Sequence, residues 1–246
     1  MKPEYATAHE RGDIHIHDLD FYALTTTCCQ IDLLSLFHGG FSTGLGHIRE
    51  PQSIASYASL ACIAIQSNQN DQHGGQSIPN FEYGLAPGVA RSFIKNVDLA
   101  LDMRDAPEDF RKELKGMLRK YAFPTGEYAS FRSILNEEGL AFVKEQLMTK
   151  LSEKEASHVI DKAVAKTDKD TYQAMEGLIH NLNTMHSRAG AQVPFSSINY
   201  GTDTTPEGRM VIKNTLLAED AGLGNGETPI FPIHIFKVRE GYSFNP

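Results

Sequence analysis

The pattern of apolar and polar positions predicts strands that alternate with helices. Residues 13–20 alternate apolar and polar side chains, which is the period of a strand. Residues 229–238 form a mostly apolar run, as expected of a strand that is buried on both faces. This alternation indicates an α/β fold with mainly parallel strands. The pattern also predicts strands over residues 25–34, passing into a helix, and 193–200, and helices over residues 4–11, 54–66, 88–103 and 205–222.

The middle of the chain is rich in lysine and glutamate, and it predicts a mostly helical layer over residues 88–190. Within it, residues 104–169 are interpreted as helices on the surface of a single domain that spans residues 1–246. Asp105 with Glu108, and Ser152 with Glu155, match the capping box that begins a helix. The helical face that follows the first box carries Phe110, Leu114, Met117, Leu118 and Tyr121.

Residues 67–79 are the most unusual stretch, with three Gln, two Asn, one Asp and one His before the first apolar residue, Ile78. Composition favours a solvated loop in which Gly74 and Gly75 make a turn. A functional alternative is a ligand site at the end of a buried helix, because amides supply donors and acceptors without net charge. Residues 39–46 are predicted to form a glycine-rich loop, residues 81–87 to be irregular, and Pro51 to be the first residue of a helix.

Composition narrows the function classes. The chain has 246 residues, a formal net charge of −8 and 41% hydrophobic residues. An acidic chain is a poor candidate for a protein whose main role is to bind nucleic acid, although a local pocket can still bind a nucleotide. No apolar run approaches the length of a membrane span, and the first 13 residues do not resemble a signal peptide. Three cysteines, two of them adjacent, do not make a disulfide framework, which indicates a reducing, cytoplasmic setting.

His15 and His17 lie two residues apart on a predicted strand, so both side chains point to one side. Such a pair can ligate a metal, and a metal-dependent hydrolase barrel that adds His180, His186 or His234 is one functional hypothesis. Ordinary hydrogen bonding at a strand end is the alternative. Asp18 and Asp20 follow and could orient ligands or bind a sugar hydroxyl.

Other polar groups stand where ligands collect in α/β proteins. Ser196, Ser197 and Asn199 are predicted at the carboxyl end of a strand, although turn residues would look the same. Arg49 and Glu50 could contact a phosphate and a ribose, or form a surface ion pair. The glycine-rich loop at residues 39–46 lacks the Lys-Ser/Thr ending of a phosphate-binding P-loop.

Several separated segments together resemble the anaerobic (class III, glycyl-radical) ribonucleoside-triphosphate reductases. The most specific is Asn-Gln-Asn-Asp-Gln-His-Gly-Gly-Gln-Ser at residues 68–77, and Thr-Cys-Cys-Gln-Ile-Asp-Leu at residues 27–33 is another. The resemblance extends over nearly the whole chain, since it also includes residues 14–22, 40–49, 53–58, 187–199 and 226–237.

The resemblance implies half of a ten-stranded α/β barrel and a reaction that replaces the 2′-hydroxyl of a ribonucleoside triphosphate with hydrogen. It implies a glycyl radical, formate or thioredoxin as reductant, a homodimer and a radical-SAM activating enzyme, all serving deoxyribonucleotide supply for DNA replication. By the same resemblance Cys28, rather than Cys29 or Cys62, is catalytic, because it stands two residues before Gln30. The residues implied for the substrate are His15, His17, Asp18, Ser196, Ser197 and Asn199, and those for an allosteric effector nucleotide such as ATP or a dNTP are Arg49, Glu50, Gln66, Gln69 and Gln76.

The chain departs from the family in having no glycyl-radical segment, no four-cysteine zinc site and no thiyl-cysteine segment. The expectation is therefore a part of the enzyme that is inactive alone and holds no metal, with zinc confined to the C-terminal part of the family's enzymes. A non-catalytic module that binds a dNTP effector and dimerises through the helix at residues 51–66 is the second hypothesis.

Overall fold

The computed structural model describes residues 1–16, 19, 27–43, 45–124, 131–186 and 192–244. Its described residues form an α/β fold with one four-stranded sheet, one two-stranded hairpin and eight α-helices. In chain order the elements are α1 Pro3–Glu10, β1 Thr27–Gln30, α2 Leu33–Phe37, β2 Phe41–Thr43, β3 Gly46–Ile48, α3 Ile54–Asp71, β4 His73–Ile78, α4 Phe81–Asp102, α5 Glu108–Ala122, α6 Glu137–Met148, α7 Glu153–Thr184, β5 Ser196–Tyr200, α8 Pro206–Ala221 and β6 Ile233–Phe236.

The main sheet has the strand order β1-β4-β5-β6, and each of its three pairs is parallel. The predicted α/β class with parallel strands is confirmed. Residues 75–78 of β4 and 196–200 of β5 alternate between buried and half-buried, so one face of the sheet is covered by helices. The other face, which we call the open face, is less covered by the described residues.

The covered face packs against α3 and α4, and these two helices pack in turn on α7 and α8. α7 is a single helix of 32 residues within the predicted helical layer. It begins at the predicted capping box, in which the Ser152 amide donates to Glu155 Oε2 at 3.0 Å. The predicted surface character of residues 104–169 is wrong for the part in α7, because Val159 and Ala163 are buried in the shared core.

Residues 67–79 do not form the solvated loop that their composition favours. α3 continues to Asp71, and residues His73–Ile78 form β4 between two parallel neighbours at the centre of the sheet. Hydrogen bonds from both neighbouring strands stabilise this segment although it carries few apolar side chains.

Near the N-terminus, the predicted helix is confirmed and the predicted strand is wrong for its first four residues. α1 is confirmed, but residues 13–16 form no strand, because the Asp13 amide donates back to the Ala8 carbonyl at 2.9 Å and the Ile16 amide to His9 Nδ1 at 3.1 Å. Residues 17, 18 and 20 of that predicted strand lie outside the described part of the chain. The loop predicted at residues 39–46 overlaps the β2–β3 hairpin, which extends to Ile48.

Helix boundaries show where packing and capping outweigh local signals. α3 begins after Ser53, whose hydroxyl accepts the Ser56 amide at 3.4 Å, and not at Pro51. α4 begins at Phe81 and continues through Pro87, although residues 81–87 were predicted irregular; this turn is buried and Gly84 lies directly on Leu33. α5 starts without the predicted side-chain cap from Asp105, since its N-cap is Pro107.

The C-terminal third follows the prediction more closely. α8 begins directly after its N-cap Thr205, whose hydroxyl accepts the Gly208 amide at 3.1 Å, and it ends before Gly222, which has φ +75°. β6, however, is an edge strand, and its Ile233 and Phe236 side chains are 42% and 50% exposed. The prediction of a strand buried on both faces is therefore wrong for the described residues. Among them, no helix is long and apolar enough to cross a membrane.

Candidate functional site

A strip of polar side chains lies on the open face of the sheet. Gln30, Ser77 and Ser197 are side by side on β1, β4 and β5 in parallel register. Asn199 lies two residues further along β5, and its Oδ1 accepts a hydrogen bond from the Ser77 hydroxyl at 3.3 Å. These side chains are half-buried or exposed, which leaves donors and acceptors available to a bound molecule.

The structure separates two serines that the sequence analysis grouped together. Ser196 is fully buried on the covered face, whereas Ser197 and Asn199 lie on the open face. Adjacent strand residues point to opposite faces, which explains the separation. Ser77 was not among the predicted site residues; reading residues 73–78 as a strand with a period of two would have placed it beside Ser197.

Cys28 occupies an irregular point in the sheet. Thr27 pairs with His73 and Cys29 pairs with Gln76, so two residues of β4 oppose the single residue Cys28. This is a β-bulge, a feature that redirects side chains and is frequent beside functional sites. Cys28 has φ +57°, which is uncommon for a residue other than glycine.

The two adjacent cysteines have different surroundings. Cys28 is exposed, whereas Cys29 is half-buried and packs against the hydrophobic core. Cys62 is buried between α3 and α7, and burial raises its pKa to about 12. Of the three thiols, Cys28 is therefore the one most accessible from solvent.

The predicted effector residues of the amide-rich segment are turned into the protein. Gln69 and Gln76 are buried, and Gln66 is half-buried on α3. Gln76 Oε1 accepts from the side-chain amide of Asn68, and Gln76 Nε2 donates to the Gly74 carbonyl at 3.4 Å. These contacts tie the last turn of α3 to the bulge in β4.

Arg49 and Glu50 do not act as a pair. Arg49 is exposed after β3, whereas Glu50 forms a salt bridge with Arg91. The Arg91 guanidinium also donates to Gln52 Oε1 at 3.2 Å and lies 4.4 Å from the centre of the Phe123 ring. Glu50 is thus engaged in a contact that anchors the segment before α3 to α4.

A second concave site lies between α3, α4 and α7, with a cavity volume of about 360 Å³. Lys95 and Lys166 bring positive charge to it, and Asn96 and Asn181 bring amides. Lys166 forms a salt bridge with Asp170, while Lys95 is exposed. None of the predicted effector residues lines this groove. Sequence patterns missed it because its polar groups come from three helices that are distant in the chain.

The histidines of the hydrolase hypothesis are found in separate settings. The ring centre of His15 is 5.6 Å from that of His9, next to α1, and His17 and Asp18 lie outside the described residues. His234 Nδ1 is 3.1 Å from the Tyr200 hydroxyl, and its Nε2 is 3.4 Å from Glu219. Burial lowers the pKa of His234. No group of three His, Cys, Asp or Glu side chains in the described ranges is placed to hold a metal ion.

A buried carboxylate organises the carboxyl end of β5. Glu82 Oε1 accepts the backbone amides of Gly201, Thr202 and Asp203 at 2.8, 3.0 and 3.2 Å. The Tyr83 hydroxyl donates to the Thr202 carbonyl at 2.9 Å. The first turn of α4 therefore fixes the loop at residues 201–203. This loop follows β5, the strand that carries Asn199.

Comparison with known proteins identifies the family. The family model described as anaerobic ribonucleoside-triphosphate reductase matches residues 1–246, which is the whole chain. The chain belongs to this family.

Individual reductases align with the chain at moderate identity. The anaerobic ribonucleoside-triphosphate reductase of Enterobacteria phage T4 is 28% identical over 237 residues, which is 95% of this chain and 31% of that protein. Those of Escherichia coli K12 and Salmonella typhimurium LT2 are 29% and 28% identical over 95% of this chain and 26% of their own lengths. The chain thus spans between a quarter and a third of the length of these relatives.

Membership of the anaerobic ribonucleoside-triphosphate reductase family confirms the resemblance read from the sequence. The match covers both the strands that carry Cys28, Ser197 and Asn199 and the helices that form the groove. Both candidate sites therefore belong to the part of the chain that the family shares.

Proposed function

We propose that this chain contributes part of an oxygen-sensitive reductase that converts ribonucleoside triphosphates into deoxyribonucleoside triphosphates. The observation that carries the proposal is the family match over the full chain, combined with an exposed thiol at a bulge beside a polar open face. Since the relatives are three to four times longer, turnover is proposed for a complete reductase that contains this chain and not for the chain alone.

The proposed architecture is half of a ten-stranded α/β barrel whose interior is the open face. Two features support it: β1 and β6 each have a free edge among the described strands, and the open face carries polar groups without a covering layer there. A closed barrel would keep radical intermediates away from water and side reactions. The glycyl radical, the reductant (formate or thioredoxin) and the radical-SAM activating enzyme are proposed from the family, and no described residue is assigned to them.

Cys28 is the proposed catalytic thiol. A neutral thiol can donate a hydrogen atom to a carbon-centred radical and can act in a site shielded from water. Its exposure, in contrast to the packing of Cys29 against the core, supports assigning this role to Cys28.

Ser197 and Asn199 are the proposed substrate contacts, with Ser77 added because it is bonded to Asn199 on the same face. Ser196 is left out of this proposed set because it faces the helices. The roles proposed for His15, His17 and Asp18 rest on the resemblance.

The decisive experiment compares Cys28→Ser with Cys29→Ser in the complete reductase. We expect Cys28→Ser to abolish deoxynucleotide formation while glycyl-radical formation, followed by electron paramagnetic resonance, is retained. Cys29→Ser should keep most of the activity and lower stability slightly, since its side chain packs at the edge of the core. Near-normal turnover of Cys28→Ser, or a dead Cys29→Ser variant, would refute the assignment.

A second proposed function is binding of an effector nucleotide, with dimerisation through α3. The groove that carries Lys95 and Lys166 favours an anionic ligand, and exposed Ile63 on α3 offers apolar surface to a second copy. This groove replaces the buried Gln69 and Gln76 as the proposed location, and the effector roles of Arg49 and Gln66 rest on the resemblance alone. Calorimetric titration of the chain with ATP and each dNTP tests it. Binding that is lost in Lys95→Ala supports the groove, and no binding at millimolar nucleotide refutes it.

A further inference from the structure

The bulge in β4 depends on two consecutive glycines opposite Cys28. Gly74 has φ +93°, a left-handed conformation that residues with a side chain rarely adopt. Gly75 does not lie in that region. Both residues face one position of β1, so β4 must place an extra residue there without displacing Cys28.

The space that a side chain on Gly74 would need is filled by Cys28. A Cβ at Gly74 would lie 2.9 Å from the backbone nitrogen of Cys28 and 2.9 Å from its Sγ. Real Cβ atoms do not approach other heavy atoms so closely, and one of the two contacting atoms belongs to the backbone. The Cys28 thiol therefore rests directly on the backbone of Gly74.

A chain of hydrogen bonds holds this part of β4 from the covered side. The side-chain amide of Gln76 donates to the Gly74 carbonyl at 3.4 Å, and Gln76 accepts from Asn68 at the end of α3. Gln76, in the amide-rich segment, is thus bonded to Gly74, the residue that the Cys28 thiol contacts.

We propose that Gly74 is a positioning residue for the Cys28 thiol: its missing side chain provides the seat on which the thiol rests, and Gln76 fixes that seat to α3. The geometric part of this inference concerns Cys28 whatever its role. Its consequence for catalysis rests on the proposed function of Cys28.

The test compares Gly74→Ala with the matched control Gly75→Ala in the full chain. A Cβ at Gly75 would lie 3.3 Å from the Phe195 ring, which is 51% exposed and free to shift by a few tenths of an ångström. The measurement is the rate at which iodoacetamide alkylates Cys28, read by peptide mass spectrometry. Buried Cys62 serves as the internal reference for folding.

In Gly74→Ala, we expect the new Cβ to displace the Cys28 Sγ from Gly74 towards solvent. The Cys28 alkylation rate should rise by about tenfold, a change equivalent to about 1.4 kcal/mol. Gly75→Ala should change it by less than about twofold. In the complete reductase, Gly74→Ala should lower kcat with little change in the substrate KM, because the thiol and not the substrate strip is displaced.

Two further variants keep the proposal testable if Gly74→Ala folds poorly. In a Cys28→Ala background, Gly74→Ala should lower the urea midpoint less than it does in the wild type, because the contact with Sγ is gone. Gly74→Asn, which tolerates the left-handed conformation but adds a Cβ, should still raise the alkylation rate.

Equal alkylation rates in Gly74→Ala and Gly75→Ala, or equal loss of urea midpoint with and without the Cys28 thiol, would overturn the inference. These outcomes are independent of the proposed function. If Cys28→Ser stayed active while Gly74→Ala altered thiol reactivity, the catalytic assignment would fail and the positioning would stand.

Discussion

Substitution of Glu82 tests quantitatively how much one buried carboxylate contributes to fixing the loop at residues 201–203. Its carboxylate is fully buried at the first turn of α4, and one oxygen accepts the amides of Gly201, Thr202 and Asp203. Glu82→Ala removes the acceptor and leaves these three donors without it. Two of the three residues are themselves buried, so water cannot easily replace the carboxylate.

The magnitude follows from these contacts. A hydrogen bond to a charged group contributes about 1.5–3 kcal/mol, but three bonds that share one oxygen are not additive. The second carboxylate oxygen has no hydrogen-bond partner among the described residues, so its burial offsets part of the gain. We therefore expect Glu82→Ala to lower the free energy of unfolding by about 3–5 kcal/mol.

The assay is urea unfolding of the full chain, followed by far-ultraviolet circular dichroism. Glu82→Gln keeps an acceptor oxygen and should lose less, about 1–2 kcal/mol. Glu113→Ala, at an exposed position of α5, is the control and should change stability by less than about 0.5 kcal/mol. A loss below about 1 kcal/mol for Glu82→Ala would refute the claim that this carboxylate organises the loop.

Two further predictions concern close packing and pH. Gly88→Ala should lower the free energy of unfolding by about 1–3 kcal/mol, because the new Cβ would lie 2.8 Å from the ring of buried Tyr57. Gly116→Ala has nothing within 4 Å of the new Cβ and should raise the free energy of unfolding by about 0.5–1 kcal/mol. Thermal or urea unfolding measures both changes. Burial raises the pKa of Asp203 above its ordinary value of 3.8, so the folded state holds this proton more tightly than the unfolded state and the associated stability is lost as pH rises through the folded pKa. The wild type should therefore lose stability relative to Asp203→Asn as the pH rises above the ordinary Asp value of 3.8, and parallel pH profiles of the two proteins would contradict this.

Local signals in the sequence determined the helices that depend on local physics. The capping box at Ser152 and the Thr205 cap each use a side chain to satisfy an amide three residues away, so neighbouring residues suffice to specify them. The stripe of Phe110, Leu114 and Leu118 is likewise buried as its spacing predicts. The α/β class and the family also followed from the sequence, because alternation and motif identity do not depend on exact boundaries.

The exposure of adjacent residues and the partners of charged groups were decided by tertiary structure. Glu50 bonds to Arg91, which is 41 residues away, and no spacing rule could identify that partner. Ser196 and Ser197 share a strand, yet which of them meets the helices depended on the side from which the helical layer packs. Sequence reasoning did select Cys28 over Cys29, but only by resemblance.

The amide-rich segment shows the limit most clearly. Its composition is that of a loop, and residues 73–78 become a central strand because β1 and β5 supply hydrogen-bond partners from distant parts of the chain. The free energy of those non-local bonds, together with burial of Gln76 against α3, outweighs the weak strand propensity of the two glycines. The sequence alone therefore located the unusual stretch, and only the packing of its neighbours made it the strand on which the Cys28 thiol rests.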